Sequence, residues 1–332
     1  MFDTVAPAVP DRLTHGYAIA LSKFELADFR GAINILEGLH SSGLWDANTS
    51  NLLAVSYSKL ALYKEAYAVL AEQLDKDPSN LSTYLNLVTV CAEGGDLAKA
   101  AQVAAEAATL FPHSPEVLIV RGAASSLLGR SEQATQDFTG ALRLAPDRAD
   151  VRFFLALMDY NQAHYPEAIA TLKKAYRDGL QNSDLHYLMA ETLLKADAAN
   201  SDAALAELDQ ALRLNPDSVA ALTLRGRLLL EKGRPQDALA QLEAAHRDDP
   251  QSRSTTYNLA RTYHALGKNE QAEALFHQLR SGKPDTLKEM SARRLGETKA
   301  HSNEVCFGVS LHPAFLTHAI GRAAHQKRAR GI

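Results

Sequence analysis

The chain has 332 residues, of which 46% are hydrophobic, and its formal net charge is -4. This charge excludes the excess of Lys and Arg that sequence-independent nucleic-acid binding requires. The two cysteines, Cys91 and Cys306, are too far apart for a metal or redox motif and exclude a disulfide framework, which favours a reducing compartment.

The N-terminal stretch "MFDTVAPAVPDRL" has an acidic residue at Asp3, two prolines and no apolar run. A secretory signal peptide would need a basic start followed by an apolar segment. No stretch of the sequence approaches the ~18 consecutive apolar residues of a membrane-spanning helix. The sequence therefore predicts a cytoplasmic protein without a membrane span, in which residues 1–12 form an N-terminal extension.

Prolines and glycines recur at a fixed interval through the rest of the chain. Prolines are 34 residues apart in two series, which are Pro78, Pro112, Pro146 and Pro216, Pro250, Pro284. Glycines follow the same interval, at Gly95, Gly129, Gly233 and Gly267. Each series is two residues too long in the middle of the chain, which indicates an insertion that we assign to "KADAANS" at 195–201. The heptapeptides "ALRLAPD" at 141–147 and "ALRLNPD" at 211–217 are one product of this repetition.

Within each repeat the apolar residues have helical spacing. In the repeat from 115 to 148, Leu118, Gly122 and Ser125 share one face of a first segment. Ala134, Phe138 and Ala141 share one face of a second segment, and strand alternation is absent. The glycine falls between the two segments, where a left-handed helix cap favours it, and the proline prevents the second helix from continuing. Each repeat is therefore predicted to be an antiparallel pair of helices.

This pattern resembles the tetratricopeptide repeat family, in which 34-residue helix pairs stack on one another. Residues 115–146 carry the signature through Leu118, Arg121, Gly122, Ala134, Phe138, Ala141 and Pro146. The resemblance implies an all-α fold, a right-handed superhelical solenoid of antiparallel helix pairs. It covers residues 13–286 as eight repeats, which are predicted to start near 13, 47, 81, 115, 149, 183, 219 and 253.

One stripe of each first helix is expected to face the concave side of such a solenoid, where helical repeats hold a peptide or helix of a partner. The predicted partner-binding residues are Phe153, Leu157, Tyr160, Tyr187, Glu191, Arg227, Tyr257 and Arg261. The aromatic residues are the expected anchors, and the arginines would contact an acidic group. An apolar stripe is also what a core produces, and this alternative applies most to Leu157 and Leu194.

The sequence offers no motif for catalysis or cofactor binding. Phosphate-binding glycine loops, zinc motifs and nucleophile elbows are all absent from it. We therefore predict no catalytic residue, no metal ligand and no cofactor. The clamp with which some family members bind a chaperone's terminal carboxylate is also absent, because basic residues are missing around Asn86, at Asn51, Val55, Glu116 and Val120.

The C-terminal part departs from the repeat. Residues 287–300 are predicted to form a capping helix, which repeat arrays need at their ends. Residues 301–332 are predicted to be a basic, partly disordered tail, since 287–332 contain eight Lys and Arg against three Asp and Glu.

Together these observations predict a non-catalytic scaffold or adaptor that binds an unidentified protein or peptide. Two alternatives stay open at this point. The chain could be the regulatory or substrate-recruiting arm of an enzyme complex. It could also bind nucleic acid or an anionic surface weakly through its basic tail, although the acidic repeats disfavour nucleic acid as the main partner.

Overall fold

The computed structural model describes residues 9–281. This part of the chain contains sixteen α-helices and one short 3-10 helix, and it contains no β-strand. It divides into two compact units, one ending at Leu144 and the other beginning at Ala145. The predicted all-α fold of antiparallel helix pairs is confirmed. None of the helices between residues 9 and 281 is long and apolar enough to cross a membrane.

Each unit contains four helix pairs. The first unit consists of α1 (Val9–Glu25), α2 (Phe29–Ser41), α3 (Ala47–Lys59), α4 (Tyr63–Lys76), α5 (Leu81–Glu93), α6 (Leu97–Leu110), α7 (Pro115–Leu127) and α8 (Ser131–Leu144). The second unit consists of α9 (Ala149–Asn161), α10 (Tyr165–Arg177), α11 (Ser183–Ala196), α12 (Ser201–Leu214), α13 (Val219–Glu231), α14 (Pro235–Asp248), α15 (Arg253–Ala265) and α16 (Asn269–Ser281). Helix α1 begins at Val9, so it includes residues 9–12 of the predicted N-terminal extension. The predicted capping helix at 287–300 and the tail at 301–332 lie outside the described residues.

Polar side chains start most of the first helices. The side chain before the helix accepts a hydrogen bond from a backbone N–H of the first turn in α3, α5, α7, α11, α13 and α15, and the residues are Asp46, Asn80, Ser114, Asn182, Ser218 and Ser252. Such a bond satisfies an amide that has no partner within the helix. These residues follow the same interval as the prolines. The start of these six first helices is therefore encoded locally.

The turn between the two helices of a pair has one residue with positive φ. Glycine occupies this position in four pairs, with φ between 72° and 84° at Gly95, Gly129, Gly233 and Gly267. Alanine occupies it in three others, with φ of 58°, 58° and 61° at Ala27, Ala61 and Ala163. The pair formed by α11 and α12 is joined instead by a 3-10 helix, Ala198–Asn200, within the stretch to which we assigned the insertion.

Small residues let the two helices of each pair approach closely. Every second helix has an alanine that is at most 2% exposed at the same position, and these are Ala32, Ala66, Ala100, Ala134, Ala168, Ala204, Ala238 and Ala272. Glycine takes a similar role in two first helices. A Cβ on Gly122 would lie 2.9 Å from Cε1 of Phe138, and a Cβ on Gly226 would lie 2.5 Å from Cγ of Leu242. The pairs are thus held by tight apolar packing.

Candidate partner-binding surface

The predicted partner-binding residues all lie in the second unit, on its four first helices. We call the fifth, ninth and twelfth residues of α9, α11, α13 and α15 the partner stripe. These are Phe153, Leu157, Tyr160, Tyr187, Glu191, Leu194, Thr223, Arg227, Leu230, Tyr257, Arg261 and His264. Exposure along the stripe rises from α9, whose three residues are buried, to α15, where Tyr257 is 49% exposed.

The α9 part of the stripe presents almost no surface. Phe153 is 2% exposed and its ring packs edge-on against Phe154, with 6.0 Å between the ring centroids. Leu157 is 1% exposed, which agrees with a place in the core. Side chains this deeply buried cannot contact a partner without repacking. Tyr160 is also buried, at 7% exposed, so the part of the stripe that is open to a ligand begins at Tyr187 and extends through α11, α13 and α15.

Two tyrosines converge on one carboxylate between α9 and α11. The Tyr160 hydroxyl donates to Oε2 of Glu191 at 3.3 Å, and the Tyr187 hydroxyl donates to Oε1 at 3.2 Å. The Tyr160 ring also packs against Tyr165, with centroids 5.9 Å apart. Burial raises the pKa of both Tyr160 and Tyr187, and the charge of Glu191 raises it further. Both hydroxyls therefore stay protonated and continue to donate at neutral pH.

Sequence reasoning did not find this link between repeats. It placed Tyr160, Tyr187 and Glu191 on one face but proposed no bond among them. The available signal is positional, because a tyrosine at the twelfth position of one first helix is followed, 31 residues later, by a glutamate at the ninth position of the next. The bond itself depends on how adjacent first helices are aligned.

The α13 and α15 parts of the stripe are cationic. Arg227 is half-buried and pairs with Glu231 one turn away, with 3.3 Å between Nη1 and Oε1. The guanidinium carbon of Arg261 lies 5.7 Å from the centroid of the Tyr257 ring. Thr223 and Thr255 join the two helices through a hydroxyl–hydroxyl bond of 2.8 Å. This end of the stripe can therefore offer positive charge together with an exposed aromatic ring.

Outside the stripe, we looked for two features of catalytic sites, which are a metal-binding group and a reactive cysteine. Within the described part of the chain, no three His, Cys, Asp or Glu side chains form a group that could hold a metal ion. Burial raises the pKa of the Cys91 thiol to about 11, so this buried cysteine is protonated at neutral pH. Cys91 is therefore not an activated nucleophile. The partner stripe itself suits recognition of a ligand.

Curated relatives cover part of the chain. Anaphase-promoting complex subunit 7 of Mus musculus is 30% identical over 147 residues, which are 44% of this chain and 26% of that protein. The Homo sapiens protein of the same name is 29% identical over the same length. The match thus spans about a quarter of the length of these relatives.

Solved structures share the fold. The anaphase-promoting complex hetero-tetramer Cut9–Hcn1 matches with a TM-score of 0.63 and 15% identity, over 82% of this chain and 53% of that one. A tetratricopeptide repeat protein from Parabacteroides merdae matches with a TM-score of 0.60 and 16% identity, over 76% of this chain and 99% of that one.

Family models match most of the repeats directly. One model described as tetratricopeptide repeat matches residues 51–115, 128–184 and 187–253, and a second model with the same description matches residues 229–292. These ranges contain the buried alanines except Ala32, the turn residues except Ala27, and most of the helix pairs described above. The chain belongs to the tetratricopeptide repeat family.

Proposed function

We propose that this chain is a non-catalytic scaffold whose partner stripe binds a peptide or helix of another protein. The single observation that carries the proposal is the open, cationic and aromatic surface of α13 and α15, made by Arg227, Arg261 and Tyr257. Exposed aromatic and arginine side chains are the residues that dominate binding energy at protein interfaces. Helical repeats also commonly offer such surfaces to extended segments or helices.

The ligand that fits this surface carries acidic groups. A carboxylate can accept paired hydrogen bonds from a guanidinium, which gives both energy and orientation. The exposed face of Tyr257 can meanwhile cover an apolar side chain beside it. We therefore expect the ligand to place an acidic residue against Arg227 or Arg261 and an apolar residue against the Tyr257 ring.

Selection from a random peptide library tests this proposal. The full chain is used as bait, beside a variant that combines Arg227→Glu with Arg261→Glu. Arg213→Glu serves as the matched control, because Arg213 is exposed on α12 and lies outside the stripe. We expect peptides selected by the wild type to be acidic and to bind the double variant about tenfold more weakly, since charge-assisted bonds are lost.

The control variant should bind the same peptides with unchanged affinity, and circular dichroism should show native helix content for all three proteins. Equal binding of selected peptides by the wild type and the double variant would contradict the proposal. So would a selection that yields no acidic peptides at all.

A second candidate function is membership of a multiprotein assembly, including a complex with enzymatic activity. The match to anaphase-promoting complex subunit 7, a protein named as a subunit of a complex, favours it. Native mass spectrometry of the tagged protein, purified at its natural level, tests this candidate. A stable complex with defined stoichiometry is the expected result, and a monomer without partners would contradict it.

A further inference from the structure

The ninth residue of each first helix in the second unit gives the partner stripe an ordered series of charges. Leu157 on α9 is apolar and buried, Glu191 on α11 is acidic, and Arg227 on α13 and Arg261 on α15 are basic. These three charged side chains are each partly exposed. A ligand that lies along the stripe therefore meets one negative charge and then two positive charges.

The position and charge of Glu191 favour binding of a cation. Its carboxylate has about four acceptor sites, and the two tyrosine bonds use two of them. Those bonds fix the carboxylate between two tyrosine hydroxyls, and Tyr187 is itself packed against a buried cluster that includes Ala190, Leu208 and Leu228. A partly exposed carboxylate held in a fixed position is a favourable partner for an ammonium or guanidinium group.

Arg227, on the next first helix, lies near enough to Tyr187 for its charge to act on that residue. Its charge acts on the Tyr187 hydroxyl and partly opposes the rise in the pKa of that group, which otherwise comes from burial and from Glu191. Arg227 has Glu231 as an ion-pair partner, but the pair is exposed and such pairs contribute little. A ligand carboxylate can therefore compete for Arg227. Arg261, beside the half-exposed Tyr257, offers a second such contact on α15.

The spacing of packed helices sets the spacing of the ligand's charges. Packed helix axes are about 8–10 Å apart. A polyproline II segment rises about 3.1 Å per residue and has three residues per turn, so every third side chain points the same way about 9 Å further on. Helices α13 and α15 pack on one another, so the step from Arg227 to Arg261 corresponds to about three ligand residues.

We propose that the partner stripe recognises an extended segment that carries two acidic residues three positions apart and one basic residue on the side of the segment that faces α11. The basic side chain contacts Glu191 between Tyr160 and Tyr187, and the acidic side chains contact Arg227 and Arg261. This inference rests on the proposed function and goes further, because it defines the charge pattern that the partner must carry.

Fluorescence anisotropy with labelled synthetic peptides tests the pattern on the full chain. The probes are Lys-Pro-Ala-Asp-Pro-Ala-Glu and its reversed sequence, since either chain direction places the two acidic residues three positions apart with the lysine on one side of them. The control peptide has the same composition, with the three charged residues placed side by side. We expect one of the two patterned probes to bind about tenfold more tightly than the control peptide.

Charge reversal at one position supplies the decisive comparison. Glu191→Lys should weaken binding of the preferred probe about tenfold, and replacing lysine by glutamate in that probe should restore binding to this variant. Glu191→Gln keeps the shape and an acceptor for a tyrosine hydroxyl, so it should lose affinity without loss of helix content. Equal binding of the patterned and control peptides, or no binding of either, would overturn the inference.

The library selection separates this inference from the proposed function. If selected peptides depend on Arg227 and Arg261 but bind Glu191→Lys normally, the charge pattern is wrong and the scaffold function stands. If those peptides do not depend on the arginines either, the proposed function fails as well.

Discussion

Three alanines have the positive φ that glycine has at the same position of other turns. Ala27, Ala61 and Ala163 have φ near +60° at the point where the first helix of a pair ends. A side chain in this region places Cβ close to the backbone and costs about 1–2 kcal/mol. The surrounding helices therefore impose the turn on these residues, and each of the three turns stores strain that a glycine would not.

Replacing Ala61 by Gly should raise the free energy of unfolding. The strain removed is about 1–2 kcal/mol, and the greater freedom of glycine in the unfolded chain offsets about 0.5–1 kcal/mol of it. Ala61 is exposed, so the substitution opens no cavity. We expect a net gain of about 0.5–1 kcal/mol in urea unfolding followed by circular dichroism.

The matched control for this change is Ala105→Gly. Ala105 is also exposed, but it lies inside α6, where glycine lowers helix stability by about 1 kcal/mol. The two variants should thus change stability in opposite directions. If both lose stability, the positive φ of Ala61 carries no appreciable strain.

At the scale of the helices, the side chains that face each other at the eighth positions of a pair differ in size from one pair to another. Gly122 on α7 faces Phe138 on α8, which fills the space that a side chain at 122 would need. In the pair of α11 and α12, Ala190 and Leu208 belong to one buried cluster at the equivalent positions. A glycine accompanies the larger phenylalanine in the first of these pairs and an alanine accompanies the smaller leucine in the second, whereas the pair of α13 and α14 combines Gly226 with Leu242. The sum of the two volumes limits how closely the helices approach.

Gly122→Ala should lower the free energy of unfolding by about 1–3 kcal/mol, because the new Cβ would lie too close to the Phe138 ring. Adding Phe138→Leu should recover much of this loss, since it recreates the combination found in the pair of α11 and α12. Urea unfolding of both single variants and the double variant gives the coupling energy. Additive losses would show that the two positions do not share one volume.

At the scale of the whole molecule, tyrosine–carboxylate bonds recur in both units. The Tyr84 hydroxyl donates to Glu106 at 3.1 Å in the first unit, and the Tyr263 hydroxyl donates to Glu243 at 2.8 Å in the second. Burial raises the pKa of Tyr84 and raises that of Tyr263 to about 12, and the acceptor glutamate adds to each rise. The pKa values of Tyr160 and Tyr187 are raised as well, from the same two causes.

These shifts predict a loss of stability in alkaline solution. Tyrosines of the unfolded chain ionise near pH 10, whereas the folded chain keeps these protons to higher pH. The unfolded state then binds fewer protons, so the free energy of unfolding falls as the pH rises above about 10, up to about 12 for Tyr263. Urea unfolding between about pH 9 and pH 11 should show this decline, and tyrosinate absorbance should appear later in the folded than in the unfolded chain.

A variant that combines Tyr160→Phe with Tyr187→Phe isolates the contribution of the partner stripe. It retains every Lys and Arg, so the titration of those groups is common to both proteins. Its stability should decline less steeply above about pH 10 than that of the wild type. Parallel curves would mean that the two hydroxyls ionise alike in the folded and unfolded states.

Much of the fold could be predicted because its signals are local. Helical spacing, a polar residue before most of the first helices and a glycine or proline after a helix all act within a few residues. Because these signals recur every 34 residues, each repeat supports the prediction made for the others. The start of α1 at Val9 was missed, since "PAVPDRL" lacks the spacing that marks the later repeats.

The partner stripe could be predicted only as a set of positions. Helical spacing placed Phe153, Tyr160 and Tyr187 on one face, but exposure depends on what neighbouring helices cover. Phe153 is buried, and Tyr160 and Tyr187 are tied to Glu191. No local pattern distinguishes these outcomes.

The sequence by itself determined the helices, their pairing and the family, because each depends on periodicity and on turns formed by residues close together in the chain. Only the tertiary structure decided which stripe residues are open and that Glu191 joins two repeats. Both features come from side chains about 30 residues apart that meet when first helices stack, and contacts at that distance depend on how the helices pack.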